Sequence, residues 1–175
     1  VWGVETDPES AAVASESIEN VFVGTIENFL EADDRPTAFD FVTFGDVLEH
    51  IADPGKVLQQ TRELLGPEGY VIASIPNVAH LAVRSMLLEG RFEYSELGIM
   101  DETHLRFFTR DSILELFAAA GFAVEPSSGK CYCEASSSKK CLRVTGNNYR
   151  RYDYVLFLLL PSLIFPLLPL LLPPA

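Results

Sequence analysis

The sequence predicts an α/β protein, a doubly wound and mostly parallel sheet with helices on both faces. Three observations carry this. Apolar, β-branched runs alternate with stretches of helical periodicity from Val1 to about Val124, the pattern of strands joined by crossover helices. The run Phe39-Asp40-Phe41-Val42-Thr43-Phe44 is nearly continuous in apolar and β-branched residues, as a strand buried on both faces requires. Helix starts are marked by Asp7-Pro8-Glu9 and Asp53-Pro54, each a capping side chain followed by a proline at the first helical position.

Taken in order, Val1 to Glu5 reads as a short strand. A helix follows Asp7, with Ala11, Ala12, Ala14 and Ile18 on the side toward the sheet. Val21-Phe22-Val23 is the next strand, and Ile26 to Ala32 a short helix before the polar break Asp33-Asp34-Arg35-Pro36. Phe39 to Phe44 is the buried strand. The helix after Asp53 carries the stripe Val57, Leu58, Leu64, Leu65 and is expected to end at Gly66-Pro67. Gly69 to Ile75 is a strand stopped by Pro76, and Leu81 to Leu88 a helix. Glu89 to Thr103 is polar and irregular, long enough to be a functional loop. Thr109 caps a helix with Ile113, Leu114, Leu116 and Phe117 apolar and Gly121 at its end, and Phe122 to Val124 is expected as the final strand.

Charge divides the chain. Residues 1–126 hold 23 acidic against 7 basic side chains, and residues 127–175 hold 2 against 6. A body this acidic repels a phosphate backbone, so a nucleic-acid partner is not expected. Residues 127–153 form an irregular polar segment and 154–175 an uncharged tail rich in leucine and proline. Pro161, Pro166, Pro169, Pro173 and Pro174 argue against a spanning helix. The tail is expected to pack on the domain or on a partner, with membrane contact the lesser alternative. Cys131, Cys133 and Cys141 are odd in number and lack a neighbouring histidine, so free thiols of a reducing, cytoplasmic compartment are expected rather than a disulfide framework or zinc site. The chain starts at Val1 with no visible signal peptide and reads as the interior of something longer.

In open α/β sheets ligands bind beyond the carboxyl ends of the strands, where loops and helix N-termini converge. That edge holds Glu5, then Gly45-Asp46 with Glu49-His50, then Pro76-Asn77 with His80. All three histidines, His50, His80 and His104, follow a strand end or fall in the long loop. An acid at a strand end suits the hydroxyls of a nucleotide ribose. Asp46, Glu49 and His50 offer oxygen and imidazole donors, yet an acidic turn of this kind is equally at home in solvent, and no metal is expected.

Gly3-Val4-Glu5-Thr6-Asp7-Pro8, Gly45-Asp46-Val47-Leu48-Glu49-His50 with Asp53-Pro54, Leu65-Gly66-Pro67-Glu68-Gly69, Ser74-Ile75-Pro76-Asn77 and Asp101-Glu102-Thr103-His104-Leu105-Arg106-Phe107-Phe108-Thr109 together resemble the class I S-adenosylmethionine-dependent methyltransferases. The nearest group is the small-molecule enzymes of the ubiquinone-biosynthesis type, often associated with sugar and cell-envelope chemistry. The resemblance covers Val1 to about Glu125 and implies a Rossmann-like fold with S-adenosylmethionine as cofactor and a small-molecule acceptor, methylated on oxygen or nitrogen. It implies that Glu5 holds the ribose, that Thr25-Ile26 lies beside the adenine, and that Gly45 and Asp46 line the methionine end. Glu49, Asn77, His80 and Arg106 would face the acceptor. His104, then His50, would serve as base.

Two departures accompany it. Thr25 stands where the family usually has aspartate. The first strand and its glycine-rich loop are missing, which is expected to leave a gap and two unpaired edges between the strands beginning at Val1 and Phe39. Two alternatives share the sheet: a non-catalytic binding module, and a nucleotide-sugar or NAD-dependent oxidoreductase. The latter typically carries Tyr-x-x-x-Lys, and none of the six tyrosines has lysine four residues later.

Overall fold

The computed structural model describes residues 1–123, 139–144 and 155–158. Among these, strands β1 (Trp2–Glu5), β2 (Asn20–Val23), β3 (Phe39–Gly45), β4 (Leu65–Pro76), β5 (Lys139–Val144) and β6 (Val155–Leu158) form one sheet in the order β2-β1-β6-β3-β4-β5. All neighbours are parallel except β4 and β5. Helices α1 (Pro8–Ala14), α2 (Ile26–Glu31), α3 (Pro54–Leu64), α4 (Leu81–Leu88) and α5 (Arg110–Ala119) fall between the strands in sequence.

The cap residues act as their types dictate. Asp7 accepts from the Ser10 amide at 2.8 Å and opens α1 ahead of Pro8. Asp53 accepts from the Lys56 amide at 3.0 Å and opens α3. Thr25 and Thr109 each form a reciprocal capping box, with Asn28 and Ser112, satisfying amides that would otherwise lack a partner. The core runs along β3 and β4 beneath α3 and α5. Phe39, Val42, Phe44, Leu58, Leu64, Val71 and Phe117 are completely buried, and truncating one such phenylalanine to alanine typically costs about 3 to 5 kcal/mol.

Several expectations need correction. Ala12 is exposed while Ala11, Ala14 and Ile18 are buried, because a period of 3.6 turns position 12 off the sheet-facing stripe. The third helix does not wait for Gly66-Pro67 to stop it. It ends at Leu64, and Leu65 already pairs with Phe39, with a register irregularity before Phe41 pairs with Tyr70. Gly69 sits in that irregularity, where an added Cβ would come within 2.6 Å of the Phe39 carbonyl oxygen. No strand forms at Phe122 or Ala123, and Val124 lies outside the described residues. The antiparallel edge is instead β5, within the stretch read as irregular and polar.

The expected gap is filled. β6, from the stretch read as an apolar tail, lies between β1 and β3 and pairs in parallel with both. The two edges that would otherwise stand bare are therefore paired. The rest of that tail, the three cysteines' surroundings apart from Cys141, and the segment 124–138 lie outside the described residues. No helix among the described residues is long and apolar enough to cross a membrane.

Candidate active site

The carboxyl edge of the sheet gathers the predicted residues. Glu5 ends β1 with 1% of its surface exposed. Its Oε1 accepts from the Asp7 amide at 2.9 Å and from the Thr6 hydroxyl at 3.4 Å. Its Oε2 is buried and has no hydrogen-bond partner among the described residues. Burying a carboxylate oxygen without a donor is costly, and among the described residues this atom is an acceptor left open.

One strand position beyond β6, β3 ends at Gly45, and Asp46 turns the chain with φ 53°. Left-handed backbone is uncommon outside glycine, though Asp tolerates it better than most, and it tends to concentrate at functional sites. The strain is held on both sides of the residue: the Asp46 amide donates to the Ser74 carbonyl at 2.9 Å, and the Ser74 hydroxyl donates to Asp46 Oδ1 at 2.8 Å. A 3₁₀ turn, Leu48–His50, then buries the Glu49 side chain and leaves His50 half-buried.

The long loop closes on this turn. The amides of Leu105 and Arg106 both donate to the Glu49 carbonyl, at 2.9 and 3.0 Å. Arg106 is exposed, and its Nε donates to the Ala52 carbonyl at 3.1 Å. His104 is brought against His50, ring centroids 4.8 Å apart and edge to face at 76°. The Phe107 ring lies 6.1 Å beyond it.

Hydrogen bonding fixes the imidazoles. A carbonyl oxygen only accepts, so the contact of His104 Nδ1 with the Ile99 carbonyl at 3.1 Å requires Nδ1 to carry the proton. In the neutral ring Nε2 then holds the lone pair. His50 Nδ1 is similarly placed 3.3 Å from the Thr103 carbonyl. Burial, and to a smaller degree the neighbouring His50, push the His104 pKa below its ordinary value against the opposing pull of the Ile99 carbonyl. Asp101 is held below the ordinary carboxylate range by the Thr103 hydroxyl and then by the Thr103 amide, at 2.6 and 2.8 Å.

The other predicted residues have more local roles. Thr25 is exposed and spends its hydroxyl on the capping box, and Ile26 is buried in the core. Asn77 Oδ1 accepts from the Ala79 amide at 3.0 Å. His80 is exposed and caps α4, its Nδ1 accepting from the Ala82 amide at 3.3 Å. The structure does not join His80 to the His50–His104 pair. Arg106 goes to Ala52 and not to Asp101, whose carboxylate is taken by Thr103. Ser74, Thr103 and the carbonyls of Ile99 and Ala52 were not singled out by sequence, since backbone acceptors and a lone serine on a strand leave no pattern.

The donor atoms of Glu49, His50 and His104 all lie within 4.8 Å of one another. The trio differs from Asp46, Glu49 and His50, because the loop carries His104 in. One carboxylate and two imidazoles suit a borderline divalent cation.

A profile of the family described as "Methyltransferase domain" matches residues 1–127. The chain belongs to this methyltransferase family. It is similar to the ubiquinone biosynthesis O-methyltransferase of Aeromonas salmonicida, 29% identical over 67% of this chain and 50% of the relative. It is also similar to that of Azorhizobium caulinodans, 29% identical over 84% of this chain and 59% of the relative. The chain thus spans about half the length of the curated relatives it matches. Its fold is that of a SAM-dependent methyltransferase from Thermotoga maritima described as a possible histamine N-methyltransferase, with TM-score 0.59 and 21% identity over 83% of this chain and 72% of the other. It is shared by the Burkholderia thailandensis 1,6-didemethyltoxoflavin-N1-methyltransferase with bound S-adenosylhomocysteine, with TM-score 0.55 and 21% identity over 85% and 61%.

The methyltransferase family makes S-adenosylmethionine the cofactor to test against these residues, and the fit rests on Glu5. Its buried Oε2 at the end of β1, with no partner among the described residues, is an acceptor of the kind that ribose hydroxyls satisfy. The oxidoreductase alternative falls away with the family match.

Proposed function

We propose that this chain carries S-adenosylmethionine-dependent methyl transfer to a hydroxyl of a small-molecule acceptor. The observation that carries the reading is the setting of His104: a half-buried imidazole whose Nδ1 donates to the Ile99 carbonyl and whose charged form burial disfavours, at the same sheet edge as a Glu5 oxygen that has no partner among the described residues. Bound there, the cofactor supplies a methyl group on a sulfonium, which an aligned nucleophile displaces.

The chain's own part is binding, alignment and proton removal. Glu5 accepts from hydroxyls through Oε2, the Thr25-Ile26 turn offers backbone groups, and Gly45-Asp46 shape the floor. Asp46 is held rigid by Ser74. Closure of the loop on Glu49 and Ala52 fixes the geometry and excludes water, which is most of what a direct displacement needs. His104 Nε2 takes the hydroxyl proton, a contribution of about 10² to 10⁴-fold. Oxygen is favoured over nitrogen because a neutral amine attacks without a base, whereas a hydroxyl gains from one. Asn77 and His80 are assigned the outer wall of the acceptor side. A cytoplasmic setting completes the reading and rests on the sequence expectation of free thiols at Cys131, Cys133 and Cys141.

A second reading has its own support in the grouping of Glu49, His50 and His104: these three side chains hold a divalent cation that lowers the acceptor hydroxyl's pKa. The test is methyl transfer from isotopically labelled S-adenosylmethionine to a panel of phenols, sugars and amines, read by mass spectrometry, with and without EDTA. Labelled methyl ethers formed in EDTA support the base. Activity lost in EDTA and restored by magnesium or zinc supports the cation. Absence of any labelled product, with no binding of S-adenosylhomocysteine by calorimetry, overturns both.

A further inference from the structure

Strands β1 and β3 carry the two ends of the proposed cofactor site, yet they are not neighbours. β6 lies between them, with Trp2, Gly3 and Val4 opposite Leu156, Phe157 and Leu158 on one side and Phe41 to Phe44 opposite Val155 to Leu158 on the other. Val4 and Phe44 both pair with Leu158, and the next residue on each strand is Glu5 or Gly45. Two interstrand spacings of about 4.8 Å set these strands about 10 Å apart. Without β6 each would expose a bare edge, and nothing in the ladder would hold Glu5 and Asp46 at that separation.

The segment reaches its place late. β5 is antiparallel to β4 and ends with Val144 opposite Val71, and β6 begins with Val155 opposite Phe41, so both lie at the amino edge of the sheet. Three interstrand spacings, about 14 Å, separate them, well within the roughly 35 Å that the intervening chain can span. Among the described residues the sheet halves are also joined by the packing of α2 on α3 and by the shared core from Val4 and Phe29 to Phe39 and Val42.

We infer that Val155–Leu158 is the positioning strand of the cofactor site: a parallel strand inserted between β1 and β3 that fixes Glu5 and Gly45-Asp46 at the spacing that binding requires. The inference rests on the cofactor reading above. Successive amides of a strand face opposite neighbours, so Leu156→Pro and Phe157→Pro each remove a ladder hydrogen bond on a different side, while Phe157→Gly keeps every donor.

The test uses the full chain, with S-adenosylhomocysteine affinity by calorimetry and amide hydrogen exchange by mass spectrometry. Each proline variant should weaken binding about tenfold or more and lose protection at Trp2–Val4 or Phe41–Phe44, while Val71–Ile75 stays protected and the glycine variant loses less. Equal affinity in parent and proline variants overturns the positioning role alone. No binding by the parent overturns the cofactor reading and this inference with it. Should a proline variant also lose protection at Val71–Ile75, it has unfolded, and the unmodified chain decides. S-adenosylhomocysteine should then slow exchange at Leu156–Leu158 about tenfold, and unchanged exchange there overturns the inference.

Discussion

His50 and His104, more than fifty residues apart in sequence, meet edge to face with ring centroids 4.8 Å apart. Both rings set Nδ1 against a backbone carbonyl; His104 makes the shorter contact, 3.1 against 3.3 Å, and burial lowers its pKa. Replacing His104 by Gln keeps a donor toward Ile99 and removes the base. The expected outcome is a fall in kcat of about 10² to 10⁴-fold with S-adenosylhomocysteine affinity within about twofold of the parent. An equal loss in cofactor affinity would place His104 in binding.

The pH profile should carry the same signature. His104 acts as a base only when neutral, so turnover falls as pH drops through its pKa. Burial lowers that pKa from its ordinary 6.5, so the acid limb of the log kcat profile should have its midpoint below 6.5. Since the His50 charge also contributes to the lowering, His50→Gln should move the limb to higher pH. A limb at or above 6.5 in the parent would assign it to another group.

On the proposed reading Arg106 acts as a positioning residue. Its guanidinium ties the loop to Ala52 while the neighbouring amides tie it to Glu49, and His104 lies two residues away. Arg106→Ala should loosen His104 against His50 and lower kcat about tenfold, within what a small misplacement of a reacting group costs. Arg106→Lys keeps a charged donor and should recover part of the loss. Cofactor affinity should not change in either variant. A rise in KM alone, with kcat intact, would return Arg106 to the acceptor contact that its sequence position suggested.

Much of this was legible because local chemistry and tertiary structure agree. Asp7, Asp53 and Thr109 announce helix starts by side-chain type, and each caps one. Phe39 to Phe44 announces a two-sided buried strand, and β3 is the centre of the core. What was hidden depends on long-range pairing. Val155-Leu156-Phe157-Leu158 reads as the start of an apolar tail because nothing local says that two distant strands leave a slot of its length. His80 follows a strand end as His50 does and was placed on the acceptor side, yet it caps α4, since sequence order does not reveal which loop folds over the sheet edge. Arg106 was expected to face the acceptor, and its partner in the structure is a backbone carbonyl, invisible to any residue pattern.

Gly121 tests the packing of α5 independently of chemistry. It ends the helix with φ 84°, and its Cα hydrogens face the Arg62 guanidinium of α3 so closely that an added Cβ would displace it. Gly121→Ala should destabilise the fold by about 1 to 2 kcal/mol from the left-handed backbone alone, read from the shift in urea midpoint at unchanged slope. Because α5 lies after the loop and away from Glu5, cofactor affinity should hold. Unchanged stability would mean that Arg62 moves freely and that the turn relaxes without cost.

Glu5 separates stability from binding most directly. Its carboxylate is buried with one oxygen held by the Asp7 amide and the other without a partner among the described residues, so the folded state bears a desolvation cost that no described donor offsets. Glu5→Gln keeps an acceptor for Asp7 and removes the buried charge. Folding stability should therefore stay level or rise, measured by urea unfolding. Binding should move the other way: a charge-assisted hydrogen bond of about 1.5 to 3 kcal/mol is lost, and S-adenosylhomocysteine affinity should fall by about 10 to 150-fold. The two effects have opposite signs only if the orphaned oxygen serves a ligand. Were Glu5 a purely structural carboxylate, the same change would lower stability and leave binding untouched.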